Sequence, residues 1–245
     1  MDHSSSRAAD QPTVPRRAAG PAGPTDAIVW EMAGAPVAYP RAVADMEARA
    51  AAIAAGTARE RIWLVEHPPL YTAGTSARPD ELLQATLPVF TSGRGGRFTY
   101  HGPGQRIAYV QLDLSRRGRD VRGFVDDLQN AVIATLARFG VSGRRDPDNI
   151  GVFVATGGGL SKIAAIGVRV RRWVTLHGLS LNVAPDLSHY GGIVPCGLTD
   201  RGVTSLRALG VDATLAEVDA VLRKELDRLL QPGGSGRCRP RYAAD

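Results

Sequence analysis

Two strand patterns follow one another directly between Lys162 and Val183, and no other segment constrains the fold as much. In the first, alternate residues form one face and two arginines project from the other: Lys162, Ala164, Ile166, Val168 and Val170 against Arg169 and Arg171. In the second, the apolar residues change phase at His177–Gly178, which predicts a β-bulge there. This run therefore predicts neighbouring strands with no helix between them.

The other periodic segments lie apart from this run. Apolar residues at helical spacing predict three helices, near Arg41–Ala55, at Phe124–Phe139 and at Thr214–Leu230, the last with a capping box of Thr214 and Glu217. Alternating or short apolar runs predict strands at Arg61–Glu66, Arg106–Leu114 and Ile150–Ala155. Strands in runs, with helices set apart from them, favour an α+β fold with a mixed or antiparallel sheet.

Two segments of low hydrophobicity flank the periodic part. Residues 1–25 are rich in Ser, Pro, Ala and Gly, and residues 231–245 have the same character, so both are predicted to be disordered tails around one domain, residues 26–230. No stretch approaches the roughly 20 apolar residues of a membrane span, and residues 1–25 hold no apolar signal core. We therefore expect a cytoplasmic protein that does not bind membranes.

The positive charge of the chain comes almost entirely from arginine. Lys and Arg together number 30 against 24 Asp and Glu, and only Lys162 and Lys224 are lysines. Half of the net charge of +6 lies in the two predicted tails, which argues against a nucleic-acid-binding protein. A lysine kept in so arginine-rich a sequence suggests a role in which a proton must be released, since a guanidinium stays protonated. Lys224 lies on the polar side of a helix, so Lys162 is the candidate.

Lys162 follows a glycine-rich turn in the segment Thr156–Gly167, TGGGLSKIAAIG. The segment lacks the Gly-Lys-Ser/Thr order of a phosphate-binding P-loop and the third glycine of a dinucleotide-binding fingerprint. We interpret it as a turn that delivers Lys162 onto a strand with an apolar face, where burial disfavours the ammonium and favours a usable base. The alternative is a lysine at a strand end whose charge reaches solvent.

A second glycine-rich segment, Arg94–Gln105, has the sequence RGGRFTYHGPGQ. Its glycines permit close approach of a ligand to the backbone. The alternatives are a flexible turn between two strands and an RGG-type RNA-binding segment. The RNA-binding alternative fits poorly because the segment runs directly into the strand Arg106–Leu114.

Cys196 lies in a loop sequence, IVPCGLTD, where the flanking Pro and Gly leave the thiol little cover. It is a candidate nucleophile, although an inert structural cysteine is the commoner state of a free thiol. Cys238 falls in the predicted C-terminal tail, and the spacing of the two cysteines predicts no metal site. His101 and His177 lie in glycine-flanked turns and are candidate site residues. A Cys–His pair stays open, with His189 interpreted as a support near the Cys196 loop.

Four motifs in order, RGGRFTYHGPGQ, GGGLSKIAAIGVRV, TLHGLSLNV and LSHYGGIVPCG, closely resemble the lipoyl(octanoyl) transferases of lipoate biosynthesis. The resemblance implies the catalytic-domain fold of biotin and lipoate protein ligases, α+β with a central mixed sheet, a smaller sheet and flanking helices. It makes Cys196 the acyl nucleophile and Lys162 its partner. It places the acyl group along Arg94, Gly95, Gly96, Arg97, Phe98, Thr99, Tyr100, His101, Ala165, Ile166, Gly167, Gly178, Leu179 and Ser180.

The resemblance also implies the reaction. The donor is octanoyl-acyl carrier protein, and the acceptor is a lysine of an apo lipoyl domain, in E2 subunits of 2-oxoacid dehydrogenases or in the glycine cleavage H protein. No ATP, metal or other cofactor is expected, and we expect a monomer. Both partners are acidic, so Arg169, Arg171 and Arg172 are candidates for docking one of them. The alternatives are an ATP-dependent lipoate or biotin ligase, which needs no cysteine, and a basic nucleic-acid-binding protein.

Overall fold

The computed structural model describes residues 27–195 and 202–230. The predicted tails, Cys196 and Cys238 lie outside the described residues. Three helices carry most of the packing: α1 (Tyr39–Ala54), α2 (Val121–Arg138) and α3 (Leu215–Leu230). The strands are β1 (Val29–Met32), β2 (Arg61–Val65), β3 (Leu70–Ala73), β4 (Val89–Thr91), β5 (Phe98–His101), β6 (Gln105–Gln111), β7 (Gly143–Arg144), β8 (Val152–Thr156), β9 (Gly159–Arg171), β10 (Val174–Asn182) and β11 (Gly202–Val203).

The main sheet is mixed and has the strand order β1-β2-β6-β10-β9-β8-β7, with β11 parallel to the start of β9. α1 packs on one face, through residues such as Met46 against Ile107. α2 and α3 pack on the other face, with Leu128 and Leu222 in the largest core cluster. A smaller sheet of β4, β3 and β5 stands beside it. The α+β fold with a central mixed sheet and a smaller sheet is therefore confirmed.

The predicted helices and strands are present with shifted ends. α1 and α2 each begin earlier than predicted, since Pro40 is accepted in the first turn of α1 and Asp120 caps α2 by accepting a hydrogen bond from the Gly123 N–H. α3 keeps its capping box, in which the Thr214 N–H donates to Glu217 over 2.8 Å. The strand predicted to reach Leu114 ends at Gln111, because the chain then turns into a short 3₁₀ helix.

The β-bulge predicted at His177–Gly178 is wrong. β10 keeps one register with β9 throughout their pairing, so no residue is inserted there. The apolar residues change phase because β10 is buried on both faces. Val174 and Leu176 pack with α1, whereas Leu179 packs with α2 and α3. The local irregularity is the backbone of His177, whose φ of +62° lies in the left-handed region.

A bulge does occur in β9, beside the candidate lysine. Val152 pairs with Ala164 and Phe153 pairs with Lys162, so Ile163 is the extra residue. Cross-strand partners share a face. Lys162 and Ala164 therefore lie on opposite faces of the sheet, and the prediction that they share one is wrong.

Candidate active site

A channel crosses the α1-side face of the main sheet at its centre. Two rows of paired residues form its floor across β9, β10 and β6: Ala165, Ser180 and Ile107 in one row, and Gly167, Gly178 and Tyr109 in the other. The first two members of each row are small and the third is large. Neighbouring strands are about 4.8 Å apart, so each row spans about 10 Å. This side of the sheet therefore holds a shallow channel that ends at β6.

The small sheet supplies the opposite wall of the channel. Successive residues of a strand point to opposite faces, and on β5 Thr99 and His101 line the cavity. Phe98 and Tyr100 point the other way, into a small hydrophobic cluster with Tyr71. The resemblance predicts that Phe98 and Tyr100 contact the acyl group. In the structure, both side chains pack behind the wall formed by Thr99 and His101 and support these two residues.

The Arg94–Gly96 loop closes over the floor because glycine lets it approach. A Cβ on Gly167 would lie 3.0 Å from Arg94 Cδ and 3.1 Å from Gly95 O, so a side chain here would push the loop away. The loop is fixed by a hydrogen bond of 3.1 Å from the Gly95 N–H to Val168 O. The Arg94 guanidinium donates to Thr72 O over 2.9 Å and to Gly95 O over 3.0 Å. Its charge therefore holds backbone in place.

The structure brings nearly all predicted site residues to one cavity of about 1590 Å³. The predicted site residues that line this cavity are Arg94, Gly95, Gly96, Arg97, Thr99, His101, Lys162, Ala165, Ile166, Gly167, Gly178, Leu179 and Ser180. The side chains of Ile166 and Leu179 pack against the main core while bordering the cavity. Cys196 lies outside the described residues.

Lys162 lies at one end of the channel and is buried, with 7% of its surface exposed. The bulge turns it toward Phe153, and its Nζ lies 5.0 Å from the centre of that ring. Nζ donates to Ile150 O over 3.1 Å. None of the ion pairs among the described residues involves Lys162. The ammonium is thus held by a neutral carbonyl and a ring rather than by a carboxylate.

Gly151 sets the position of the Lys162 side chain. Its φ of +140° is a conformation that side-chain-bearing residues rarely adopt. A Cβ there would meet Ala164 O at 2.9 Å, Lys162 Cε at 3.0 Å and Nζ at 3.3 Å. The amine therefore occupies the space that only a glycine leaves free.

Both ends of the segment that contains Cys196 are anchored beside Lys162. Pro195, the last described residue before it, shares a small pocket with Lys162, Thr99 and Ala165. After the segment, Val203 pairs with Lys162, and the Thr204 N–H donates to Lys162 O over 3.0 Å. Described residues on both sides of this segment therefore lie beside Lys162.

Beyond Lys162, the cavity continues as a polar lobe between α2 and the loop that precedes β8. Its walls carry acidic and amide side chains, among them Asp126, Asp127, Asn130, Asp148 and Asn149. Arg145 bridges the two walls, with an ion pair of 2.9 Å to Asp126. This lobe is open and polar, whereas the channel floor is small and uncharged.

The histidines at the channel are neutral. Burial lowers the pKa of His101 to about 3, helped by His67, and burial lowers the pKa of His177 to about 4, helped by Arg94. His101 donates from Nδ1 to Gln105 Oε1 over 2.7 Å. His189 faces away, 3.7 Å from Asp186, and its carbonyl accepts a hydrogen bond from Tyr71. His101 and His177 therefore serve as uncharged polar groups near neutral pH.

Sequence reasoning missed Tyr39 and Tyr109, which line the end of the channel at β6. In the sequence, Tyr109 resembles an ordinary strand residue, and Tyr39 lies before the predicted start of the first helix at Arg41. Only the packing of α1 against β6 brings them together, so no local signal marks them.

The arginines proposed for docking lie at the β9–β10 hairpin. Arg169 forms a long ion pair of 3.6 Å with Glu47, while Arg171 and Arg172 are exposed. Arg172 and Trp173 form the turn with φ values of +51° and +65°. No group of metal-binding side chains occurs among residues 27–195 and 202–230. In that part of the chain, no helix is long and apolar enough to cross a membrane.

Comparison with known proteins agrees with this geometry. The model of the lipoyl protein ligase A/B catalytic domain matches residues 38–227. The chain is 61% identical to an octanoyltransferase of Rhizorhabdus wittichii, over 84% of this chain and 92% of that protein. It is 59% identical to an octanoyltransferase of Caulobacter vibrioides, over 84% and 93%.

A solved structure shares the fold at low sequence identity. It comes from an archaeal lipoylation system, a bipartite lipoate protein ligase and its E2 lipoyl domain from Thermoplasma acidophilum. The TM-score is 0.61 at 17% identity, over 83% of this chain and 84% of that chain.

Proposed function

This chain belongs to the lipoyl protein ligase A/B catalytic-domain family and to the octanoyltransferases within it, and we propose that it acts through a thioester on Cys196. It is an acyltransferase that moves an octanoyl group in protein lipoylation. The proposed donor is octanoyl-acyl carrier protein, and the proposed acceptor is the ε-amine of a lysine on an apo lipoyl domain.

The length of the channel supports an eight-carbon acyl group. Its floor spans two interstrand spacings, about 10 Å. An extended octanoyl chain of carbon–carbon bonds near 1.5 Å is about 9 Å long. With the carbonyl beside Lys162 and Ala165, the methyl end reaches Ile107 and Tyr109 on β6. The fit between these lengths is the observation that carries the proposal.

The first half-reaction exchanges one thioester for another. Lys162 accepts the thiol proton of Cys196, and the thiolate attacks the carbonyl carbon of the donor thioester. A new carbon–sulfur bond forms, the carbon–sulfur bond to the donor breaks, and the proton passes from Lys162 to the leaving thiolate. Lys162 takes part in none of the ion pairs among the described residues, and its Nζ donates to the neutral Ile150 O, so no carboxylate there competes for it.

The second half-reaction forms the amide. The lysine of the lipoyl domain loses a proton to Lys162, its nitrogen bonds to the carbonyl carbon, and the bond to Cys196 sulfur breaks. The departing thiolate takes the proton back. Conversion of a thioester to an amide is downhill, so no ATP is needed. The polar lobe beyond Lys162 offers room for the donor arm and then for the acceptor lysine.

The partners and setting remain those expected from the sequence. We propose that one enzyme monomer serves both an acyl carrier protein and lipoyl domains in the cytoplasm. The anchoring of Pro195 and Val203 beside Lys162 supports placing the nucleophile there, because Cys196 is bonded directly to Pro195.

An intact-mass experiment tests the nucleophile. The enzyme is incubated with octanoyl-acyl carrier protein and mapped by peptide mass. We expect one octanoyl group on Cys196, no adduct in Cys196→Ser, and normal labelling in the matched control Cys238→Ser. An adduct on Cys238, or full transfer by Cys196→Ser, contradicts the proposal.

An ATP-dependent ligase is the competing function, since ligases share the fold. One structural relative at 16% identity and TM-score 0.56 is a lipoate-protein ligase A with bound ATP. Transfer from octanoyl-acyl carrier protein is measured with ATP and after its removal by apyrase. We expect equal rates, and a strict requirement for ATP would favour the ligase.

A further inference from the structure

One buried side chain bonds to the chain on both sides of the segment that contains Cys196. Asn182 is the last residue of β10 and is 4% exposed. Its Nδ2 donates to Thr204 O over 2.9 Å, eight residues after Cys196. Its Oδ1 accepts from the Tyr190 hydroxyl over 3.3 Å, six residues before Cys196. A single amide therefore links the two flanks of the proposed nucleophile.

The same link reaches the backbone of Lys162. Thr204 accepts from Asn182 through its carbonyl, and its own N–H donates to Lys162 O over 3.0 Å. The Leu206 N–H donates to Asn182 O over 3.1 Å, so the backbone of Asn182 also holds the second flank. Asn182, Lys162 and Pro195 line one small pocket. Asn182 therefore joins the chain before Cys196, the chain after it and the strand that carries the amine.

The partners of the Asn182 amide fix its orientation. A backbone carbonyl can only accept, so the amide nitrogen points to Thr204 O and the amide oxygen points to Gln105. Gln105 Nε2 donates to that oxygen over 2.8 Å, and Gln105 Oε1 accepts from His101 Nδ1 over 2.7 Å. Buried polar atoms in native proteins are nearly always bonded in this way. The amide is therefore held with its donor on one flank of the segment and its acceptor on the other.

We propose that Asn182 is a positioning residue, which holds both flanks of the Cys196 segment against Lys162 and so sets the distance between thiol and amine. The inference rests on the proposed thioester on Cys196. Proton transfer between the two groups needs a separation of about 2.6–3.2 Å. Asn182 does not line the large cavity that contains the channel. Loss of its amide should therefore slow formation of the acyl-enzyme and leave octanoyl binding unchanged.

The test measures acyl-enzyme formation in a single turnover, by intact mass, at increasing concentrations of octanoyl-acyl carrier protein. Asn182→Leu keeps the branched shape of the side chain and removes the bonds of the amide. We expect the maximal rate to fall about 10²-fold, the cost of misplacing reacting groups by about 1 Å. The concentration that gives the half-maximal rate should stay within a few-fold of the wild type, because no channel residue has changed.

Gln111→Met is the matched control, because Gln111 is also a buried amide that joins separate elements. Its Nε2 donates to Met46 O over 2.9 Å, and its Oε1 accepts from Arg61 Nε over 2.9 Å. Gln111 lines neither the cavity nor the small pocket beside Lys162. The control should form the acyl-enzyme within a few-fold of the wild-type rate. An equal loss of rate in both variants would show general damage and overturn the inference.

A double-mutant cycle separates positioning from stabilisation of the fold. If Asn182 acts by bringing the thiol to Lys162, its removal costs little once the amine is absent. Asn182→Leu should therefore lower the rate by less than about 3-fold in a Lys162→Ala background, against about 10²-fold in the wild type. Losses that multiply in full would make the role of Asn182 structural only and overturn the inference.

Asn182→Asp decides the question if Asn182→Leu does not fold, because it keeps the size of the side chain and the bonds that it accepts. An ionised carboxylate cannot donate to Thr204 O, whereas a protonated one can, and burial raises the pKa of such a carboxyl. The rate relative to the wild type should therefore rise as the pH is lowered. A ratio near 1 between about pH 6 and pH 9 would overturn the inference.

The wild-type enzyme in the same assay distinguishes the two proposals. A wild type that forms no thioester refutes both of them. Rapid thioester formation in every variant refutes only the role of Asn182.

Discussion

Gly151→Ala should disable the enzyme without touching a catalytic residue. The new Cβ would meet Ala164 O at 2.9 Å and Lys162 Cε at 3.0 Å, and the backbone carbonyl cannot move aside cheaply. Lys162 must therefore shift by several tenths of an ångström or more. Misplacement of about 1 Å in an active site costs about 10²-fold in rate. We expect a loss of that order in octanoyl transfer.

The same substitution carries a separate stability cost. Alanine at a φ of +140° costs on the order of 1–3 kcal/mol. In a domain of this size that lowers Tm by about 2–12 °C. Transfer to an apo lipoyl domain is followed by mass spectrometry at a temperature where circular dichroism shows the variant folded. Gly157→Ala is the control, because a Cβ there has nothing within 4 Å.

Two results would refute this reasoning. A folded Gly151→Ala enzyme that transfers octanoyl within a few-fold of the wild type would show that the amine need not sit where the structure has it. Equal damage from Gly157→Ala would show that the loss comes from the stiffened backbone rather than from contact with Lys162.

Other substitutions and conditions test further parts of the structure. Lys162→Arg should cost about 10²–10⁴-fold in transfer rate if the amine shuttles protons, because a guanidinium keeps its proton; activity within a few-fold would leave only an electrostatic role. The bidentate pair of Arg106 and Asp219 is buried, at 2.6 and 2.9 Å, so Asp219→Ala should lose about 3–5 kcal/mol in urea unfolding. In the folded protein, the pKa of His101 is about 3 and that of His177 is about 4, against about 6.5 in an unfolded chain. Below about pH 6.5 the unfolded state therefore binds more protons at these two residues than the folded state does. Stability should therefore fall by roughly 2 kcal/mol for each histidine between pH 7 and pH 5, and a flat profile would contradict their burial as neutral groups. Deletion of residues 1–25 and 231–245 should leave Tm and transfer rate nearly unchanged, since neither segment carries an apolar stripe.

The sequence predicted the elements whose signals are local. The helix at Thr214–Leu230 and its capping box are confirmed because periodicity and cap lie within a few residues of one another. The α+β architecture followed from the order of helices and strands. Of the site residues that the resemblance implies, thirteen line one cavity in the structure. Their contact with an acyl group stays a prediction.

The sequence could not give features that depend on distant partners. The bulge beside Lys162 arises from pairing with β8, which no pattern in β9 reveals. The apolar phase change in β10 was interpreted as a bulge because the sequence does not show that the strand is covered on both faces. Phe98 and Tyr100 belong to the matching motif, yet strand alternation turns them away from the channel.

A chase of the acyl-enzyme tests the central claim most directly. The enzyme is loaded from octanoyl-acyl carrier protein, separated from the donor, and mixed with apo lipoyl domain in the absence of ATP. We predict that the octanoyl mass leaves Cys196 and appears on the lipoyl-domain lysine at a rate no slower than kcat. An octanoyl-enzyme that persists over many turnover times, or that discharges only when ATP is added, would contradict transfer through a Cys196 thioester.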